Sequence, residues 1–478
     1  MGTYQQTKRA SAPKLTVADE TVAKAYEMAL DNLLVINTVK VAPERYNKTG
    51  LLDMDLGLMI RAGGDYSQPW TRDAAVNTMN GACFLESEVA KNTLLAVCER
   101  DENGEVIVQR DNQQWDMIVW VLGAWKYYLA TGDREFLHLA FTAGCRTLCE
   151  REEHAFNSEM GLFTGGAFFQ DGIAGYPYDL YEPEVTNPFM GYHPLVNGIM
   201  SLSVNCVYFA VYNTLLAMAK ELGCAADVSW EGKAKALQNA VQKHLWDEER
   251  GTFCYLLYPD GRTCRAQEGC GISFAILSGI CTDEQAKRML NTCHTSKNGL
   301  MAVWPPFEGT SSEENPARHN NLVWPFINGY FITACTKHGR SDIAAQELQS
   351  MARLAVESGE FREIYHPETG EPYGGWQCGQ FWNSFPDQTW SATAFIRAIV
   401  FGIFGLTLKT DAATFAPCLP NGFGTAKLTG LSLRGLTLDV EICGSGCRVA
   451  EMTVNGEAKT EISYEKPGHY DVKITMIG

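Results

Sequence analysis

Two loops about 190 residues apart hold the residue types needed to break a sugar–oxygen bond. Gly165–Pro177 reads Gly-Gly-Ala-Phe-Phe-Gln-Asp-Gly-Ile-Ala-Gly-Tyr-Pro, with Asp171 at its centre. Phe361–Gly370 reads Phe-Arg-Glu-Ile-Tyr-His-Pro-Glu-Thr-Gly and contains Glu363. Each sets one carboxylate among glycines, aromatics and a proline, between segments that read as helices. Loops on a rigid scaffold are where catalytic groups tend to sit. Two carboxylates facing one bond are the minimum equipment for glycoside hydrolysis, one donating a proton and one acting as base or nucleophile. Most of the 56 acidic residues only solvate the surface, so the surroundings decide. Burial between Phe169 and Tyr176 is expected to raise the pKa of Asp171 and keep a proton on it, as a general acid requires. Arg362 beside Glu363 is expected to favour the ionised form, which suits a base. Glu182 and Glu184 are rival acids, or part of an exposed linker. Glu368 and Glu371 read as turn residues around Gly370.

Polar groups suited to hydroxyls stand at the starts of other helices. Trp70-Thr71-Arg72-Asp73 follows the polar loop Gly63–Ser67, and Trp115-Asp116 repeats the pattern. Each sugar hydroxyl both donates and accepts, so a polyol pocket needs charged donors and acceptors together. Flat rings such as Trp70 and Trp115 offer stacking surfaces. Asp73 and Asp116 could equally be helix caps. His319-Asn320-Asn321-Leu322-Val323-Trp324 mixes an imidazole, amides and an indole at another helix start. His319, Asn320 and Trp324 therefore join the sugar-binding set, as does Trp376 in the second long loop.

Composition narrows the alternatives. The chain has 478 residues, 46% apolar and 20% charged, as ordinary globular proteins do. A formal charge of −17 excludes nucleic acid and anionic membranes as expected partners. Met1–Lys14 is polar with no apolar run behind it, unlike a signal peptide. Ala394–Leu406 is interrupted by Arg397 and too short to span a bilayer. Sixteen scattered Cys suit a reducing, cytoplasmic setting. Cys145/Cys149 and Cys443/Cys447 have CxxxC spacing, but neither pair has a partner at zinc-like spacing. No metal and no cofactor are expected: nucleotide-binding glycine fingerprints, a GxSxG elbow and zincin histidines are all absent. The oligomeric state is left open.

The elements that must position these groups are mostly helices. Helical periodicity runs through Val22–Val39, Asp73–Glu99, Trp115–Ala130, Arg134–Glu150, Ser203–Leu222 and Trp230–Trp246. It continues in Asp283–Thr292, Leu322–Lys337, Ser341–Ser358 and Thr389–Phe404. Short glycine-containing breaks alternate with long loops, notably Gly161–Asn197 and Glu360–Asp387. Loops that long inside a compact domain are usually functional. Hairpins with short turns at one end and long loops at the other predict a mainly α fold, an α/α toroid whose long loops build one face. After Gly405 the pattern changes. Leu436–Ile442 alternates as a half-buried strand does, Arg448–Val454 runs into the hairpin signal Asn455-Gly456, and Tyr470–Met476 closes the chain. The expected domains are a helical unit, 1–405, and a small antiparallel β module, 406–478.

Trp70-Thr71-Arg72-Asp73-Ala74-Ala75, His319-Asn320-Asn321 with Val323-Trp324-Pro325, and Glu363 with Tyr365–Gly370 together resemble the six-hairpin glycosidases. The order and spacing are most similar to glycoside hydrolase family 63 and its short bacterial relatives of mannosylglycerate hydrolase type. Trehalases, glucoamylases and glycogen-debranching glucosidases are more distant likenesses. The resemblance covers residues from about 35 to 405. It implies an (α/α)6 toroid, with Asp171 at the position of the family's acid and Glu363 at that of its base. The family's acid loop commonly reads Gly-Met-Asp-Asn-Ser-Pro-Arg, and here Gln170-Asp171-Gly172-Ile173 replaces it.

The expected function is an inverting, exo-acting glycosidase cleaving a terminal α-linked, glucoside-like sugar. Inversion requires the two carboxyl groups to stand roughly 6.5–9.5 Å apart, against ~5 Å for retention. A phosphorylase on the same toroid would want cations in place of Glu363. An epimerase would want paired histidines, for which His193, His319 and His366 are the loop candidates. A non-catalytic carbohydrate-binding protein is the remaining alternative.

Overall fold

A computed structural model describes residues 2–477 of the chain. Among the described residues, six helices close a ring. Thr71–Asn77, Trp120–Thr131, Leu202–Leu222, Gly269–Ser278, Pro325–Lys337 and Thr389–Arg397 each pack on the next, and the last returns to the first. Outside them lie Glu20–Asp31, Ser87–Ala96, Arg134–Ala155, Trp230–Leu245, Asp283–Thr292 and Ser341–Ser358.

The two sets differ as their positions demand. Ser341–Ser358 buries Ala344, Leu348, Met351, Ala352 and Ala355, the stripe of an amphipathic helix on a core. Pro325–Lys337 buries every residue from Pro325 to Thr336, because neighbours surround it. Small residues let ring helices approach. A Cβ on Gly123 would stand 2.8 Å from Ala75 Cα, and one on Gly329 would stand 2.5 Å from the Ala394 carbonyl oxygen.

Several expected boundaries move. Asp73–Glu99 is not one helix: Thr71–Asn77 runs into a wider turn, Thr78–Ala82, and Ser87–Ala96 starts afresh. The break falls where Gly81 leaves helical backbone geometry. Val22–Val39 likewise ends early, as a helix over Glu20–Asp31, a wider turn and the strand Thr38–Lys40. Thr389–Arg397 also passes into a wider turn, Ala398–Ile403. The ring helix Gly269–Ser278 is absent from the sequence-based set.

Five C-terminal strands and one N-terminal strand form a six-stranded sheet, but it is mixed rather than antiparallel. Gly468–Ile477 inserts between Leu436–Cys443 and Arg448–Val454, antiparallel to the second and so parallel to the first. Lys14–Thr16, from the other end of the chain, pairs with Ala426–Leu433. Cys418 and Cys447 form a disulfide, so not every cysteine is the free, small hydrophobe expected. Among the described residues one helix, Leu202–Leu222, is long and apolar enough to cross a membrane. It is a ring helix packed against its neighbours.

Candidate active site

Three ring helices, Thr71–Asn77, Pro325–Lys337 and Thr389–Arg397, bring residues at or just before their N-terminal ends to one cavity, and loops supply the rest of its wall. Tyr66, Trp70, Arg72, Asp73, Gln113, Phe169, Asp171, Arg318, His319, Trp324, Glu363, Gln388 and Trp390 line it. Its volume is about 90 Å³. Asp171 and Glu363 share this cavity, together with Trp70, Arg72, Asp73, His319 and Trp324. Four other sequence candidates do not line it. Asp116 is buried behind Arg72, which donates to it at 3.3 Å. Asn320 donates to the Ala174 carbonyl and so braces the loop of Asp171. Trp115 lines a neighbouring cleft, and Trp376 lines a third with Glu182. Glu184 is exposed, so neither rival acid shares the cavity of Glu363.

Arg72 organises the acidic side. It donates to Asp171 Oδ2 at 2.9 Å, lies 3.9 Å from Asp73, and stacks its guanidinium 4.9 Å from the Phe169 ring. Gln113 donates to the same Asp171 oxygen at 2.7 Å. Burial alone would raise the Asp171 pKa, but Arg72, with Arg318 further off, reverses it, and the net shift is downward. The expected proton-holding environment is therefore not what the cavity supplies. Asp73 is the reverse case: burial, only partly offset by Arg72, pushes its carboxyl up to about 8. Neither of its oxygens has a hydrogen-bond partner, and Trp70 occupies the helix cap. Asp73 is thus not acting as a cap.

Glu363 is held by Arg318, which donates from Nη2 to both carboxylate oxygens at 2.8 and 3.1 Å. The expected neighbour Arg362 instead pairs with Glu360 at 2.6 Å. Burial raises the Glu363 pKa, with Arg318 pulling against it.

His319 adds a fixed donor. The Gly172 N–H donates to its Nδ1 at 3.1 Å, so the ring proton sits on Nε2. Burial, with Arg318 and Arg72 near, lowers its pKa to about 3, which keeps it neutral. Its ring stacks on Trp324 at 4.6 Å. His319 and Phe169 both have positive φ, 62° and 67°, an unusual backbone for residues with side chains. Such strain gathers at functional sites, and here both residues face the cavity.

Gly172 sits where the acid loop leaves no room for a side chain. A Cβ there would stand 2.7 Å from His319 Nδ1 and closer still to Gln377 Oε1. Gly172→Ala is expected to shift Asp171 and lower kcat by on the order of tenfold to 100-fold, with little change in melting temperature. A kcat equal to wild type would show that the loop's position is not critical.

Tyr66, Gln113, Phe169, Arg318, Gln388 and Trp390 lie outside the site residues read from the sequence. Position relative to a helix start could have found Gln388 and Trp390, which flank Thr389 as Trp70 and Arg72 flank Thr71. Among the described residues His319 is the only histidine on the cavity. His193 is engaged with Glu182 and Asn187 backbone groups, and His366 with those of Glu368 and Thr369.

Buried acids also link stability to pH. Burial raises Glu268 to about 8 and Glu347 and Asp116 to about 7, as it raises Asp73. Each folded pKa exceeds its unfolded value near 4, so folding favours the protonated form. That stabilisation is complete below about pH 4 and fades as pH rises through 7–8. The melting temperature is expected to fall by a few degrees between pH 5 and pH 8.5, with Glu347→Gln flattening the slope. A melting temperature rising steadily over that range would contradict this.

Asp171 and Glu363 thus stand in one polar cavity walled by loops of a closed helical ring. The chain belongs to the mannosylglycerate hydrolase MGH1-like glycoside hydrolase domain family, whose model matches residues 66–391. It is 23% identical over 312 residues to the N,N'-diacetylchitobiose phosphorylase of Vibrio furnissii, a match covering 59% of this chain and 38% of that protein. The chain thus spans less than half the length of that curated relative. Among solved structures, the family 63 mannosylglycerate hydrolase from Thermus thermophilus in complex with glucose aligns with a TM-score of 0.58. It is 14% identical, with 78% of this chain and 99% of that one covered. A sialidase structure aligns with a TM-score of 0.68 at 15% identity, over 95% of this chain and 41% of the other. At such identities the likeness concerns the fold alone.

Proposed function

We propose that this protein is an inverting, exo-acting glycoside hydrolase that releases a terminal, neutral, α-linked sugar of glucoside type from a small glycoside or oligosaccharide. The observation supporting this most directly is the set of buried polar atoms left without partners around the cavity. Arg72 Nε, His319 Nε2, Trp324 Nε1 and Trp390 Nε1 are donors; both Asp73 oxygens and Gln388 Oε1 are acceptors. Buried polar groups are costly unless satisfied, and a set of donors and acceptors lining one cavity suits sugar hydroxyls, which both donate and accept. Both cavity arginines already face carboxylates, so no free cation awaits an acidic sugar or a phosphate there. The closed ring with its outer helices supports the reading of an (α/α)6 toroid over residues 1–405, with 406–478 as an appended β module.

In this reading Asp171 protonates the glycosidic oxygen while Glu363 takes a proton from the attacking water. A Glu pKa raised toward working pH makes a stronger base. Asp171 must gain its proton as the glycoside enters and displaces water. The opposed pKa directions favour a second assignment, with Glu363 as acid and Asp171 as base. The test is turnover of a panel of α-glycosides, with and without inorganic phosphate, followed by proton NMR of the first-formed anomer. Free sugar of inverted configuration is expected. A retained anomer excludes the single displacement, and a sugar phosphate product excludes hydrolysis.

A further inference from the structure

A second cleft lies across the Asn112–Trp115 segment from the cavity and offers about 460 Å³. Its lining includes Arg151, on the helix Arg134–Ala155, which is only 7% exposed. Among the described residues no carboxylate lies within 4.0 Å of its guanidinium. Its one hydrogen bond runs from Nη1 to Gln114 Oε1 at 3.1 Å, and Nε is buried without a partner. The buried Tyr208 hydroxyl lies near the guanidinium but carries no charge to neutralise it. A buried charge left unpaired is expensive. Arg72 and Arg318, equally buried, both have carboxylates, and Arg397, also without one, lies 4.2 Å over the Tyr330 ring.

The rest of the cleft is built for a sugar. Trp115 stacks on Phe189 with ring centroids 6.1 Å apart, forming one wall. The Trp115 Nε1 is buried and also lacks a partner. Asn197 supplies an amide, and Tyr192 stands 59% exposed. His154 at the cleft engages the Glu150 carbonyl through Nδ1, and Arg151, always protonated, provides the fixed positive charge. One guanidinium with an open edge matches one carboxylate in geometry and charge.

We infer that this cleft is an accessory binding site for a carboxylate-bearing sugar such as a uronic acid, with Arg151 engaging the carboxylate and Trp115 the ring. It is separate from the cavity of Asp171 and Glu363, which suits a neutral sugar.

The inference is tested by calorimetric titration and tryptophan fluorescence of the full chain with D-glucuronate, D-glucose and inorganic phosphate at matched ionic strength. Saturable glucuronate binding is expected, about tenfold or more tighter than glucose at this site. Arg151→Met should weaken it by at least about tenfold, with Arg151→Lys intermediate. Trp115→Phe, which removes the indole N–H and keeps one six-membered aromatic ring, should weaken it several-fold and serves if Arg151→Met does not fold. Glu363→Gln should bind glucuronate as wild type does. The inference is overturned by no saturable glucuronate signal, by unchanged affinity in Arg151→Met or Trp115→Phe, or by loss of binding in Glu363→Gln. Phosphate binding more tightly than glucuronate would overturn the carboxylate class.

Discussion

Glu363→Gln is expected to fold and to lose turnover by about 100-fold to 10,000-fold, the usual worth of a positioned base. The amide keeps one oxygen for Arg318, whose Nη2 now bonds both carboxylate oxygens. The buried arginine loses its counter-charge, so melting temperature must be followed alongside activity. Asp171→Asn is expected to suffer a comparable loss on natural glycosides. The two variants then separate on substrates with activated leaving groups. A nitrophenyl glycoside needs little protonation, so it should restore much of the rate to whichever variant lacks the acid. Rescue of Asp171→Asn supports Asp171 as acid, and rescue of Glu363→Gln supports the exchanged roles. Near wild-type turnover of either variant on the true substrate would remove that residue from catalysis.

Arg72→Met is the second large effect. Arg72 bonds Asp171 and Asp116 and lies near Asp73. Its loss leaves three acids crowded in a buried pocket without the cation they share. Breaking such a group costs about 3–5 kcal/mol of stability, and the sugar-binding arrangement collapses with it. Turnover is expected to drop at least about 100-fold, on the scale of a lost positioning group. Without Arg72 the Asp171 pKa rises, because that arginine is the leading influence lowering it. The deficit in melting temperature should therefore shrink at pH 5, where the acids can take up protons. A variant with wild-type melting temperature and pH profile would show that Arg72 is not holding these charges.

Legibility in the sequence followed the range of the interactions. Asp171 and Glu363 were readable because loop aromatics and glycines flag them locally. Trp70, Arg72 and Asp73 were readable because they open a helix. Arg318 as the partner of Glu363 was not, since 45 residues separate them and the adjacent Arg362 was the natural guess. The sign of the Asp171 shift failed similarly, because its dominant neighbour is 99 residues away. Gln388 and Trp390 reach the cavity only because the last ring helix closes on the first. Gly269–Ser278 lacks polar alternation because it is buried on nearly all sides, so periodicity could not reveal it. The parallel pairing of the final strand depends on which neighbour it inserts beside, and no local turn signal records that.

Lys14–Thr16, hydrogen-bonded to Ala426–Leu433, acts as a clasp joining the two ends of the polypeptide. A proteolytic cut after Gly405 would not release a self-sufficient helical body. It would strip the early strand of its neighbour and bare the apolar face formed by Leu428, Leu431, Leu433 and Leu438, all buried in the intact chain. The C-terminal sheet is in this sense a fastener for the beginning of the chain, and heat should open both together.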